Sequence, residues 1–475
     1  MPESSVDELR RAHAQWLLCH KRRWPLCLFA AVAAAASWYM LLVGAARDRA
    51  AARLPYTTAA VRALAPPPVA ASENAALVYR QAFVAVANWK SPDTDPSVRL
   101  AVQSPKSFER KSDARQLLAS NAKALQLAEQ AAGMRHCNWD SDYGQTYSMD
   151  DQHLRSLRKL MRLFALQAKV AAADNDWNLV ERSLRVCCQI GDHAATDAPL
   201  MNTLVACTGE SMAALAIEDA LTVPGAAPPP ETLQRLQAFA QARAGVVRPV
   251  ETIMETEKQF VLLQIDRMGA GIMTGPAREL PEEMERVPLL FNWYGLVCEA
   301  DRRACQDGFE LLKSDARAAL AEFRSFDDSK YEKLSIRSHF GFEQMTARML
   351  PMFGHAPLFM LRCRVQWHLA VAGLAALRWR QSHDGKWPAA LDDLGLDAVI
   401  LKDPFDRESG RIRCKTDTKD GALWLWSVST DGKDDSESQS KSGSDPIARW
   451  RDNDVVFRVP PLPPAAAQPA AKGGP

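Results

Sequence analysis

Three groups of residues in this 475-residue chain have the types and spacing to do chemistry. Glu251, Glu255 and Lys258 recur at i, i+4 and i+7, so a helix would put them on one face; paired carboxylates can do acid–base work, while such a charged stripe also suits a solvated face. His136 lies beside Cys137 and Asp140, three potential ligands without a fourth at zinc spacing. The third group is the run Ser427-Val428-Ser429-Thr430-Asp431-Gly432-Lys433-Asp434-Asp435, which places hard oxygens in a glycine-containing loop. A calcium ion needs six to eight such oxygens, from carboxylates and backbone carbonyls. Ser429, Asp431, the Lys433 carbonyl, Asp434 and Asp435, with Asp452 or Asp454 arriving from the next segment, are the candidate ligands. The alternative is a solvated acidic turn.

Other chemistries are not written in the chain. It holds no H-E-x-x-H, no G-x-S-x-G, no phosphate-binding loop and no dinucleotide glycine motif. Ten cysteines are scattered without a C-x-x-C pair, so no disulfide framework or zinc ribbon is expected. Cys207 and Cys363 fall on apolar helical faces and read as small core residues. Lys and Arg total 58 against 57 Asp and Glu, a balance that argues against nucleic acid as a partner.

The elements that carry these groups begin with an uncharged stretch from Trp24 to Ala46, long enough to cross a bilayer. Lys21, Arg22 and Arg23 precede it and favour a cytoplasmic N-terminus, although Arg47, Arg49 and Arg53 follow. The alternative is a signal peptide cut near Gly44-Ala45-Ala46. The expected order is a cytoplasmic segment over 1–23, a transmembrane helix over 24–46, a linker over 47–71 and a helical domain over 72–353. An α+β module over 357–459 and a Pro/Ala-rich disordered tail over 460–475 complete it.

Within the helical domain the clearest pattern runs from Gln152 to Ala173, where Leu154, Leu157, Met161, Phe164, Ala168 and Ala171 line one face. Arg155, Arg158, Lys159, Arg162 and Lys169 fall off that stripe. Asp174-Asn175-Asp176 ends it and a return helix begins at Trp177, a hairpin that suggests a solenoid-like array. Further helices are expected over 114–132, 200–221, 231–244, 250–267 and 293–323, with a loop over 269–288. A last helix is expected from Pro357 to Gln381, closed by His383-Asp384-Gly385. Strands are expected over 412–415, 422–428 and 454–459.

The C-terminal elements resemble the type II secretion pseudopilin G family. Gly385-Lys386-Trp387-Pro388 stands for that family's Gly-x-Tyr-Pro-like helix end, Asp403-Pro404-Phe405 for its Asp-Pro-aromatic turn, and Ser427 to Gly432 for its calcium loop. The resemblance implies a helix packed on a small antiparallel sheet, a possible Ca2+ site in the loop, and a place beside a secretion or pilus-like apparatus. In that family the membrane segment opens the same helix; here the apolar stretch lies far upstream, and Ser436 to Ser444 lengthens the loop. The whole layout resembles bacterial membrane-anchored envelope proteins.

The fold class expected is therefore mainly α: one transmembrane helix, an all-helical solenoid-like domain and a small α+β module. The function expected is a non-enzymatic inner-membrane scaffold with its bulk periplasmic, binding protein partners. The alternatives are an envelope hydrolase using His136 or Glu255 in the helical domain, and a calcium- or glycan-binding module presenting Trp424 and Trp426.

Overall fold

A computed structural model describes residues 4–86, 111–148, 152–272, 294–331, 344–430, 432–434 and 454–461. The chain is mainly helical with one small sheet, as the residue patterns predict. Eleven α-helices are described: α1 (Ser4–Arg62), α2 (Ala75–Ala85), α3 (Lys111–Ser120), α4 (Ala122–Ala132), α5 (Gln152–Ala173), α6 (Trp177–Ala194), α7 (Leu200–Thr222), α8 (Pro230–Ala244), α9 (Val250–Gly269), α10 (Tyr294–Glu322) and α11 (Gln344–Ser382). They precede strands β1 (Arg413–Thr416), β2 (Leu423–Ser427) and β3 (Val455–Val459).

Local chemistry sets the ends of these helices. Asn74 caps α2, its side chain accepting from the Ala76 N–H. Asp176 caps α6 in the same way through Leu179, and Asn175 just before it adopts a left-handed φ of 57°, a conformation Asn tolerates. The Asp174-Asn175-Asp176 turn thus reverses the chain between α5 and α6. On α5 the expected stripe is buried, with one correction. Lys169 is 2% exposed rather than solvated, its ammonium 3.7 Å from Asp219 of α7.

The helices do not form an open solenoid. In a solenoid each unit touches its neighbours in sequence. Here α11 packs against α7, α8 and α10, and α1 returns to pack on α9 and α10. One hydrophobic core runs from Ala50 to Val459 through nearly all of them. The reason is the long apolar face of α11, where Leu361, Val365, Trp367, Leu369, Val371 and Leu374 are all buried.

That helix also overruns the expected boundary between 353 and 357. It starts at Gln344, with Pro351 and Pro357 inside it, so no linker separates the helical domain from the α+β module. The sheet is antiparallel in the order β1-β2-β3, with Arg413 opposite Trp426 and Leu425 opposite Phe457. It lies on α11 at close range because Gly373 has no Cβ; one placed there would come 2.6 Å from the Phe457 ring. β3 also touches α7, where the Arg458 N–H donates to Glu218 at 3.0 Å. Fusing the two units costs no exposed seam, since both bury apolar faces against one helix.

The second correction concerns the linker expected over 47–71. α1 continues without interruption to Arg62, and irregular chain starts only afterwards, around Pro66-Pro67-Pro68. Val43, Ala46 and Ala50 are buried. Ala46 lies against Gly295 and Ala50 against Gly269, the tighter of the two approaches; a Cβ on Gly269 would meet Ala50 at 2.9 Å and the Cys298 sulfur at 2.7 Å. Val61 closes the far end of the contact in a cluster with Tyr143, Phe260 and Leu263.

Candidate functional site

The Asp-Pro-Phe turn and the acidic loop meet at the end of β2. Asp403 is 1% exposed and pins three groups: it accepts from the Phe405 N–H at 3.0 Å, the Ser427 hydroxyl at 2.9 Å and the Val428 N–H at 3.1 Å. Burial pushes its carboxyl above the usual range, against those hydrogen bonds. Phe405 packs into the core. Asp406, one turn on, accepts from the Ser409 hydroxyl and backbone and from Arg413, and these bonds overcome burial to hold its carboxyl down near 2.

Of the seven candidate metal ligands, Asp431, Asp435 and Asp452 lie outside the described residues. Ser429 is fully buried with a left-handed φ of 56°, and its hydroxyl oxygen is enclosed. Asp454 is 4% exposed at the start of β3, where continuing the β2–β3 register sets it opposite Val428. Lys433 is exposed. Asp434 points elsewhere: its carboxylate accepts from Arg413 at 2.5 Å and from the Trp426 indole at 3.2 Å. Among the described residues no group of three or more His, Cys, Asp or Glu side chains is gathered as a metal cluster.

The remaining candidates separate. His136 and Asp140 are exposed, whereas Cys137 between them is buried, its thiol pushed up to about 12 by burial. Glu255 pairs with Lys258 at 2.6 Å, and Lys258 reaches Glu310 at 2.7 Å. Hydrogen bonds from Lys258 and Lys313 draw the Glu310 carboxyl down to about 2, so this stripe is an ion-pair network on the α9–α10 surface. Trp424 and Trp426 share a sheet face without forming an open platform. Trp426 is 9% exposed, and the Arg458 guanidinium lies over Trp424 at 6.0 Å.

The chemically richest positions are ones the residue patterns did not flag. Asp266 of α9, 0% exposed, accepts from Arg53 at 3.0 Å and Thr57 at 2.7 Å on α1 and from Arg302 at 2.6 Å on α10. It is the polar pin of the α1 dock, reinforced by Arg47, which donates to the Ala270 carbonyl at 3.1 Å. Glu210 of α7, 4% exposed, sits between Arg243 and Arg248, and both arginines also hold Asp192 of α6. A glutamate inside an apolar helix was the available signal, because a buried charge requires a partner. The third is His193, whose ring nitrogens meet the Tyr79 hydroxyl at 3.0 Å and Gln189 at 3.1 Å. Burial lowers its pKa, which keeps the ring neutral, and it ties α6 to α2. The open depression along α1, about 780 Å³ and lined by Ala51, Leu54, Thr58, Ala59 and Arg62, reaches none of these groups.

Comparison with protein-family models, curated proteins and solved structures gives no match for the chain.

Proposed function

We propose that the chain is a single-pass membrane protein of a bacterial envelope. Its body acts outside the cytoplasm as a non-enzymatic scaffold for protein partners. The observation that carries this reading is the surface of α1. Trp24, Leu28, Phe29, Val32, Trp38 and Leu41 are all more than half exposed on one helix, which is untenable in water over such a length. From Trp24 to Leu42 the uncovered stretch spans about 28 Å at 1.5 Å per residue, close to the roughly 30 Å of a hydrocarbon core. Burial against the body starts at Val43, so the body would sit directly on the bilayer surface.

Charge supports an inward N-terminus. Lys21, Arg22 and Arg23 flank the apolar stretch on one side. On the other, Arg47 and Arg53 are engaged by the body, which weakens them as competing topology signals. The order of helix, Asp-Pro-Phe turn and antiparallel sheet agrees with what the pseudopilin G resemblance implies, and is the ground for placing the partner in a secretion or pilus-like apparatus. Cross-linking in intact cells through the helical body tests the reading. Recovery of components of such an apparatus supports it; recovery of wall polymer alone discards it.

A calcium-binding role is the second reading, favoured by the enclosed Ser429 hydroxyl and the buried Asp454 carboxylate. These two fit a hard cation, with Asp431, Asp435, Asp452 and the Lys433 carbonyl as the remaining donors; Asp434 is committed to Arg413. A parent melting curve that calcium does not shift would remove it, as would a calcium shift that survives intact in Asp454→Ala. The hydrolase reading has no comparable support among the described residues, with His136 exposed and Glu255 paired to Lys258.

A further inference from the structure

Eight cysteines other than Cys27 are described, and seven of those eight are buried. Most of the buried thiols face backbone carbonyls. Cys187 points to Met161 and Gly209, Cys298 to Ile265, and Cys305 to Lys258. Cys187 and Cys188 are adjacent in sequence, a geometry that strains a bridge between them.

Cys207 and Cys363 differ from the rest. The Cys363 sulfur lies 3.1 Å from the Cys207 carbonyl oxygen and 3.4 Å from the Ser211 hydroxyl, one turn further along α7. The Cys363 thiol thus sits against the turn of α7 that begins at Cys207 itself. They are 156 positions apart in the sequence, and they join α7 to α11, the helix on which the whole core converges.

We propose that Cys207 and Cys363 are a disulfide-forming pair that fastens α7 to α11 when the folding chain meets a small-molecule or protein disulfide oxidant. One cysteine, as thiolate, attacks a sulfur of the oxidant's disulfide, forming a mixed disulfide and expelling one oxidant thiolate. The second cysteine thiolate attacks the first cysteine's sulfur and expels the other oxidant thiolate. The two protons leave the cysteines for the two released thiols. The chain is oxidised by two electrons and the oxidant's disulfide is reduced.

Timing follows from burial. In the closed fold the two sulfurs are 2% and 1% exposed as residues, out of reach of an oxidant. The Cys207 hydrogen bond, and then burial, push the Cys363 thiol well above its ordinary pKa and keep it protonated. The bond therefore forms while α11 is docking, and the finished fold shields it. That the pair meets an oxidant in the cell rests on the extracytoplasmic placement proposed above; that the two cysteines can pair rests on the contact of the Cys363 sulfur with Cys207 and Ser211.

The test separates these two points. Purified full-length chain in detergent is reduced, opened in moderate urea, and returned to native buffer in a mixture of oxidised and reduced glutathione. Remaining thiols are alkylated and the chain is digested without reductant. A peptide linking Cys207 to Cys363, with two fewer alkylated thiols, is expected. Cys363→Ser and Cys363→Ala should both lose the linked peptide and leave Cys207 alkylated. A chain that regains its native circular dichroism with both thiols free, or with Cys207 joined to Cys187 or Cys188, would overturn the proposal. The same digestion after alkylating intact cells reads the compartment. A bond in vitro and in cells supports both readings, whereas a bond in vitro alone keeps the pair and overturns the extracytoplasmic placement.

Discussion

α1 and α7 both carry stretches long and apolar enough to cross a membrane, and the fold treats them in opposite ways. Only 6% of the apolar window of α1 is buried within the protein, against 72% of that of α7. Apolarity alone therefore does not decide between lipid and core; the polar insertions do. Along α7, Asn202 donates to the Ala194 carbonyl, Glu210 binds two arginines and Ser211 touches Cys363. Each insertion needs a protein partner, so α7 is committed to the interior. Between Trp24 and Leu42, α1 has no charged residue and only Ser37 as a small hydroxyl. Beyond that stretch Arg47, Arg53 and Thr57 tie it to the body.

The contrast can be broken most severely by putting charge into each helix. Val32→Arg with Ala36→Arg places two charges mid-stretch, at about 2.5–3.5 kcal/mol each for a helix in a bilayer. The double variant should leave the alkali-resistant membrane fraction while its body still melts cooperatively. Ala213→Asp, in the buried face of α7, should do the reverse: unfold the body and leave the chain membrane-bound. If both variants gave the same outcome, the assignment of the two helices would fail.

A smaller effect is expected from the polar pins. Asp266→Ala leaves Arg302 without its carboxylate and Arg53 with only the exposed Glu299, and should cost about 3–5 kcal/mol, read as a lower melting temperature and protease cleavage between Arg47 and Arg62. Glu210→Leu should cost a similar amount, since Arg243 and Arg248 stay buried and keep only Asp192 between them. Cleavage within α1 in the first variant alone would assign the dock to Asp266.

The smallest effect is a pH slope. His368 of α11 is 1% exposed, and burial followed by the nearby Arg364 lowers its pKa to about 3. A histidine depressed in the fold stabilises it above the unfolded value near 6.5, and that contribution is lost as pH falls toward the folded value. Between about pH 6 and 4 the body should lose about 1.4 kcal/mol per pH unit from this group. His368→Gln should flatten the decline in thermal melts over that window.

Much of this fold was legible in the sequence, and the exceptions share a cause. The ends of α5, α6 and α7 follow from local signals: the Asp174-Asn175-Asp176 turn, the Asp176 cap and the Val223-Pro224-Gly225 stop. The strands over 423–427 and 455–459 fall where Trp, Leu and Val alternate or cluster, while the one over 413–416, Arg-Cys-Lys-Thr, pairs with the first of them. Pro357 reads as a helix start because proline suits a first turn, yet α11 carries both Pro351 and Pro357 in its interior. Its packing on α7, α8 and α10 offsets that cost, and packing is not a local property. Likewise Arg47, Arg49 and Arg53 read as a solvated linker because Asp266, the group that recruits Arg53, lies 213 positions away. Of the candidate sites, the Asp-Pro-Phe turn was legible from its own three residues. Glu210 left the signal of a carboxylate inside an apolar helix, but its partners, like those of Asp266, were not legible because they depend on which helices meet.

The unbroken course of α1 has a mechanical consequence. Its exposed apolar part, proposed to face lipid, and its docked part are one helix, held at Gly269, Gly295 and Asp266. A membrane helix meets a change in bilayer thickness by tilting. With the exposed stretch in a bilayer, as proposed, such a tilt would swing the docked body through the same angle, making the protein's attitude a readout of the lipid around it.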